Sequence, residues 1–315
     1  MQKIKVGISS CLLGENVRYD GGHQHDRYLT DTLGRCFEYF PVCPEVECGM
    51  SIPREAMRLV GDAENPRLLT RETHLDHTEQ MQVWATKRVE ELKSEGLCGF
   101  IFKAKSPSSG LFHVKVYNDD GQVTGFSSGL WAKAFTRAFP LLPVEEAGRL
   151  QDPDLRENFI ERVFTLKRFR DDVLQAPTIP VLMTFHGRNK LLLMAHAPET
   201  VHELGRLIAE MKPSDLPAKL ATYEQRLLEA MSEHATVPRQ VNVLQHMLGY
   251  FRDLLDSAER HELLGVIEDY RSEQLPLIVP VTLFKHFIRK YDVKYLADQS
   301  YLNPHPLELK LRNHA

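Results

Sequence analysis

An α/β layered domain followed by an all-α helical domain is the fold class this sequence predicts, and three observations carry it. Short β-like runs alternate with helical segments in the first half, the second half is amphipathic helix almost throughout, and 315 residues suffice for two domains. The strand candidates are "IKVGIS" (4–9), "FEYFPVCPEV" (37–46), "LCGFIFKA" (97–104) and "LFHVKVY" (111–117). Between them, residues 71–96 carry apolar positions at helical spacing and end at Gly96, which suits a helix and its cap. "SGLWAKAFTRAFPLLPVE" reads as a helix stopped by Pro140. From "DPDLRENFIERVFTLKRFRDDVLQ" onward the helical pattern continues to "TLFKHFIRKYDVKYLADQSYL", with Asp152 or Asp154 available as the first cap. The expected domains are 1–148 and 149–315, with 149–175 as a connecting helix.

Composition excludes several classes of protein. With 43% hydrophobic and 26% charged residues the chain is an ordinary globular protein, and no apolar run reaches the length of a membrane span. The start has no long apolar stretch or small-residue cleavage site of a signal peptide, so a cytoplasmic, membrane-free protein is expected. Five cysteines, all within the first third, then argue against a disulfide framework. Net charge is −4, shared equally by 1–150 and 151–315, so composition shows no strongly basic nucleic-acid binder.

Three loops follow strand candidates: "SSCLLGENVRYDGG", "CPEVECGMSIPRE" and "KSPSSG". Ligand chemistry in α/β folds collects at the carboxyl ends of strands. Cys11 opens the first loop, and Cys43 and Glu45 would face one side of a continued strand. A thiolate beside a carboxylate makes sense only with a neutralising metal or with the acid as a proton carrier. There is no zinc-finger spacing, and three loops converging on one cluster is compatible with iron–sulfur ligation. "SPSSG", after Lys103 and Lys105, reads either as a tight turn with solvated lysines or as a cradle of backbone N–H groups for an anion.

Taken together, "ISSCLLGENVRYDGG", "VCPEVECGMSIPRE" and "FKAKSPSSG" resemble the thiouracil desulfidase family over roughly residues 1–145. "RNKLLLMAHAP", "NVLQHMLGYF", "PLIVPVTLFKHFI" and "YLNPHP" resemble the YbgA-type helical domain often fused to it. The resemblance implies a 4Fe–4S cluster held by three cysteines, with one open iron to take the sulfur of a thiocarbonyl. Cys11 and Cys43 match the first two ligands, Glu45 an acidic catalytic residue, and Ser106 the functional serine. The implied activity is non-redox C–S cleavage, removing sulfur from 4-thiouridine in tRNA to leave uridine and sulfide. Free 2- or 4-thiouracil is the alternative substrate. Glu45 would activate water and later donate a proton, with the Ser106 hydroxyl supporting the base or the tetrahedral centre.

The chain departs from that pattern at Ser109, where the family carries its third cysteine. A hydroxyl gives up its proton reluctantly and is a hard ligand for iron. Three accounts stand: Cys48 substitutes as ligand, Ser109 binds weakly, or the serine is a deliberate replacement in an otherwise intact set. An inactive, cluster-free protein that binds RNA or another partner is the alternative function. For the helical domain, Arg188, Lys190, His196, Lys285, His286, Arg289 and Lys290 are the expected phosphate contacts.

Overall fold

The computed structural model describes residues 3–306, 309 and 311–313. It divides into two compact units, Met1–Asp152 and Pro153–Ala315. The first runs β1 (Ile4–Ser9), β2 (Phe37–Val42), α1 (Pro44–Glu47), β3 (Met57–Val60), β4 (Arg67–Thr70), α2 (Thr78–Lys93), β5 (Phe100–Phe102), β6 (Val114–Tyr117), β7 (Val123–Ser127), α3 (Leu130–Ala138) and β8 (Val144–Glu146).

Its strands form two sheets. One is fully parallel, in the order β2-β1-β5-β8, and the other is mixed, in the order β4-β3-β6-β7. The parallel sheet reads as continuous apolar sequence, as a sheet covered on both faces should: Val6, Ile8, Phe100 and Phe102 are all fully buried. Gly7 is required where β1 meets β5, because a Cβ there would lie 2.2 Å from the Phe100 ring. The α3 helix packs on this sheet through Phe135, whose ring centroid lies 4.7 Å from that of Phe100. Trp131 of α3 meets Trp84 of α2 at 5.0 Å. The mixed sheet has its own cluster of Met57, Leu59, Leu68, Met81, Val114, Val116 and Leu130.

β1, β2, β5 and β6 coincide with the four strand candidates, although β5 and β6 are shorter than the runs that predicted them. Helix α2 begins only at Thr78, since residues 71–77 form the turn that returns from β4. "FEYFPVCPEV" is not one extended run: the strand ends at Val42, and Cys43 sits at the N-terminus of α1 with Pro44 in the first helical position.

The second unit is entirely helical among its described residues: α4 (Pro153–Phe169), α5 (Ile179–His196), α6 (Pro198–Ala209), α7 (Leu216–Ser232), α8 (Val237–Gly249), α9 (Ser257–Arg271), α10 (Ile278–Tyr291) and α11 (Lys294–Ala297). Phe169, Leu192, Tyr223, Leu244, Phe251 and Phe284 belong to one apolar cluster. Phe169 and Val173 join that cluster, so α4 and the turn after it belong to this unit's core rather than bridging from it. Near the end of the chain, Arg312 is buried and ion-paired with Glu157 at 3.0 Å and Glu161 at 2.7 Å.

Candidate functional site

The parallel sheet explains why three distant motifs meet. β2, β1 and β5 are adjacent and parallel, so the segments leaving them emerge side by side at one edge. After β1 comes the 3₁₀ turn Ser10–Leu13 with Cys11; after β2 come Cys43 and α1; after β5 comes Lys103 and the "SPSSG" loop. They enclose a cavity of about 240 Å³ lined by Cys11, Cys43, Glu45, Ser106 and Ser109.

Cys11 and Cys43 are both nearly inaccessible, at 8% and 9% exposure. Burial pushes the Cys11 thiol above its ordinary pKa, with the Glu45 charge adding to the effect and Lys103 opposing it. For Cys43, burial and then the Glu45 carboxylate push the value up to about 12. The Cys43 Sγ donates to Glu45 Oε2 at 3.6 Å. The two residues are therefore neighbours, through a helical turn rather than through strand alternation.

Glu45 is held from both sides. Arg54 Nη2 lies 3.8 Å from Oε2. On the other side Oε1 accepts a hydrogen bond from the hydroxyl of Ser108, a fully buried residue. Ser106 Oγ lies 2.9 Å from Ser108 Oγ and also accepts the N–H groups of Ser108 (3.3 Å) and Ser109 (3.1 Å). Both N–H bonds occupy Ser106 as an acceptor, so its own proton points toward Ser108. The result is a directed chain, Ser106 to Ser108 to Glu45, in which each hydroxyl polarises the next. Sequence reasoning assigned the serine role to Ser106 alone; nothing in "SPSSG" distinguishes which hydroxyl reaches the carboxylate.

The loop is not an anion cradle. The N–H groups of Ser108 and Ser109 go to Ser106 Oγ, and that of Gly110 goes to Ser106 O at 2.8 Å. Its carbonyls face the start of α3: Pro107 O accepts from Leu130 N, Ser108 O from Trp131 N, and Gly110 O from Gly129 N. A Cβ on Gly129 would lie 2.3 Å from Ser108 O, so only glycine permits this approach.

Beyond Lys103 and Lys105, the gathering of cationic charge is the feature that sequence reasoning missed. Arg18, Arg54, Arg71, Lys103 and Lys105 all line the cavity, against Glu45 as its acid. Arg18 and Arg54 lie inside the quoted motifs, but at even net composition their convergence leaves no signal. Lys103 is partly buried, and burial lowers its pKa while the Cys11 thiol pulls the other way.

Cys48 does not line the cavity; its Sγ donates to the backbone carbonyl of Glu45 at 3.3 Å. Ser109 does line it, 3% exposed, with its Oγ 3.4 Å from that of Ser108. Cys11, Cys43 and Ser109 all line the cavity, so its donor set supplies two of the three sulfurs the expected iron–sulfur cluster would take. The cationic lining suits the negative charge of thiolates around such a cluster.

The helical-unit candidates scatter. Arg188 on α5, and His286 and Arg289 on α10, are exposed. Lys190 and Lys285 are half-buried, the latter donating to Asn303 Oδ1 at 2.8 Å. Lys290 is ion-paired with Glu259. His196 is not a surface residue: it is 1% exposed, with Nε2 at 2.9 Å from Glu161 and Nδ1 at 2.6 Å from the Glu233 carbonyl. Its place one residue before the α5–α6 junction turns it into the core, out of reach of a phosphate.

Comparison with known proteins matches these two units separately. Residues 6–147 match the 2-thiouracil desulfurase family, and residues 190–306 match DUF1722, a family of unknown function. The uncharacterised protein YbgA of Escherichia coli K12 is 31% identical over 153 residues, covering 48% of this chain and 90% of YbgA. Among solved structures, a 4Fe–4S-dependent thiouracil desulfidase, TudS, is 28% identical, covering 48% of this chain and 95% of that one, with a TM-score of 0.38.

Proposed function

Since the chain belongs to the family of Escherichia coli YbgA and carries a 2-thiouracil desulfurase domain ahead of its DUF1722 match, we propose that it removes sulfur from 4-thiouridine in transfer RNA, using an iron–sulfur cluster held by Cys11, Cys43 and Ser109. The observation that carries this reading is the convergence of Cys11, Cys43, Glu45, Ser106 and Ser109 on one cavity at the edge of three adjacent parallel strands. When bound, the cluster supplies a soft Lewis acid for the thiocarbonyl sulfur.

The chain's own groups manage water and protons. Oε2 of Glu45, which faces Cys43 and Arg54, is the end of that carboxylate that takes a proton from water attacking C4, since Oε1 is engaged by Ser108. Arg54 Nη2, 3.8 Å from Oε2, fixes the orientation of that carboxylate toward the cavity. Oε2 then returns the proton to the departing sulfur, while the chain Ser106 Oγ to Ser108 Oγ holds Oε1 and steadies the carboxylate. Water oxygen replaces sulfur at C4, the C–S bond breaks, and hydrogen sulfide balances the reaction without an oxidant.

Ser109 favours a second reading, in which the cluster is depleted and the protein binds RNA or another partner without turnover. One experiment separates the two. The protein and Ser109→Cys are reconstituted anaerobically, iron and sulfide are counted per chain, and both are assayed on 4-thiouridine tRNA and on free thiouracil. We expect Ser109→Cys to hold more iron and release sulfide faster from the tRNA. Iron in neither protein overturns the desulfidase reading, and sulfide from thiouracil alone reassigns the substrate to the free base.

A further inference from the structure

A second groove adjoins the catalytic cavity, and its position follows from the same strand order. The cavity lies over the ends of β2, β1 and β5; the groove lies over the next interval, where β5 meets β8. Lys103 and Ala104 line both, so a ridge of two residues is all that parts them. The groove measures about 520 Å³ against about 240 Å³ for the cavity. Its lining is polar: His25, Asp26, Arg27, Tyr28 and Gln151 come from the segment after the Cys11 turn and from the segment after β8.

That segment is tied to the Cys11 turn. Gln24 N donates to Cys11 O at 2.8 Å and Asp26 N to Leu12 O at 3.0 Å, so the groove wall and the first cysteine move as one piece. The acid in the wall is spent locally. Asp26 Oδ1 accepts the N–H groups of Tyr28 (3.0 Å) and Leu29 (3.3 Å), and Oδ2 accepts from Gln151 Nε2 at 3.5 Å. Arg27 is exposed and has no ion-pair partner among the described residues. The groove therefore offers one unspent guanidinium, beside a His25 ring that Thr30 Oγ1 holds at 3.0 Å, which is the chemistry of a phosphodiester.

We infer that this groove is the subsite for the nucleotide next to the thiolated uridine, its phosphate on Arg27 and its base across the ridge from the reacting ring. The inference rests on the desulfidase reading and sharpens it. A free thiobase needs only the smaller cavity, whereas a thiouridine within a strand must send its neighbour somewhere, and the groove shares a wall with the cavity.

The test measures binding to the full-length chain by titration calorimetry, with two probes: 4-thiouridine 5′-monophosphate and a trinucleotide with 4-thiouridine at its centre. The trinucleotide should bind about tenfold tighter, the scale of one added base and phosphate. Arg27→Ala should abolish that gain and leave the monophosphate within about twofold of its original affinity. Arg27→Glu should make the trinucleotide the weaker ligand. Equal weakening of both probes, or no weakening of either, overturns the subsite. A wild-type chain that binds the monophosphate but gains nothing from the trinucleotide overturns the subsite alone. A chain that binds neither probe overturns the desulfidase reading and the subsite with it.

Discussion

Ser108 contributes nothing to the cavity surface and yet holds one end of the Glu45 carboxylate. Its hydroxyl is the partner of Glu45 Oε1 and the second link of the chain from Ser106. Replacing it by alanine removes both the donor and the chain, and desulfidation should fall about 10- to 100-fold. Far-UV circular dichroism and iron content should be unchanged, because the loop backbone is held by other bonds; full activity in Ser108→Ala sinks that role. The two cysteines and Glu45 were legible in the sequence because each stands next to a strand end. Ser108 was not, because three serines within four positions are interchangeable on paper and only the folded loop tells them apart. Similarly, His196 looked like a cation in a basic stretch, and only the core of the helical unit shows that it is spent on Glu161.

Among the elements, α3 is the one on which the site depends most. Its first N–H groups are bonded to the carbonyls of the "SPSSG" loop, which therefore serves as the helix cap that the sequence around Gly129 lacks. Gly129→Ala would press a methyl group into Ser108 O. The expected cost is about 1–3 kcal/mol in urea unfolding, with the Ser108–Glu45 contact loosened and activity lost together. Wild-type stability in that variant would show that the loop yields freely. Three of the four strands that periodicity revealed, β1, β2 and β5, belong to the parallel sheet, where burial on both faces makes long apolar runs; the fourth, β6, lies in the mixed sheet. Strands β3, β4 and β7 left no such trace, since four or five residues in a mixed sheet carry too few alternations to register. In the helical half, "KLLLMAHAPETVHELGRLIAEM" reads as one helix, but Pro198 starts a new one because a proline is welcome only in the first turn. Likewise the long stretch from Arg239 onward breaks before Asp256, which caps α9 reciprocally with Glu259.

At the scale of the whole molecule, stability should depend on pH through the helical unit. Burial lowers His186 from 6.5 to about 4, helped by Lys190. His305 is lowered from 6.5 to about 4 by burial, with Glu161 opposing. Both folded values lie below the unfolded one, so the unfolded chain binds these protons first. Stability is then complete above about pH 6.5 and declines as pH falls toward 4, by at most about 3 kcal/mol per histidine. Urea midpoints measured across that window should show the decline, and His186→Gln should flatten it; a midpoint constant from pH 7 to 4 contradicts the assignment. The division into an α/β unit and a helical unit was legible because the period of the apolar pattern changes along the chain. The cationic lining of the cavity was not, since equal net charge in both halves hides where the charges gather in space.

The loop between β5 and β6 has a consequence for which residue it can carry at position 109. Its backbone is fastened by main-chain bonds to α3 and by Ser106, and none of these involves the side-chain atom of residue 109. Exchanging oxygen for sulfur there therefore leaves the loop's main-chain fastening in place, with the Ser108 hydroxyl as the side chain that must accommodate the larger atom. Position 109 can thus vary between the two atoms while the backbone that carries it into the cavity stays the same.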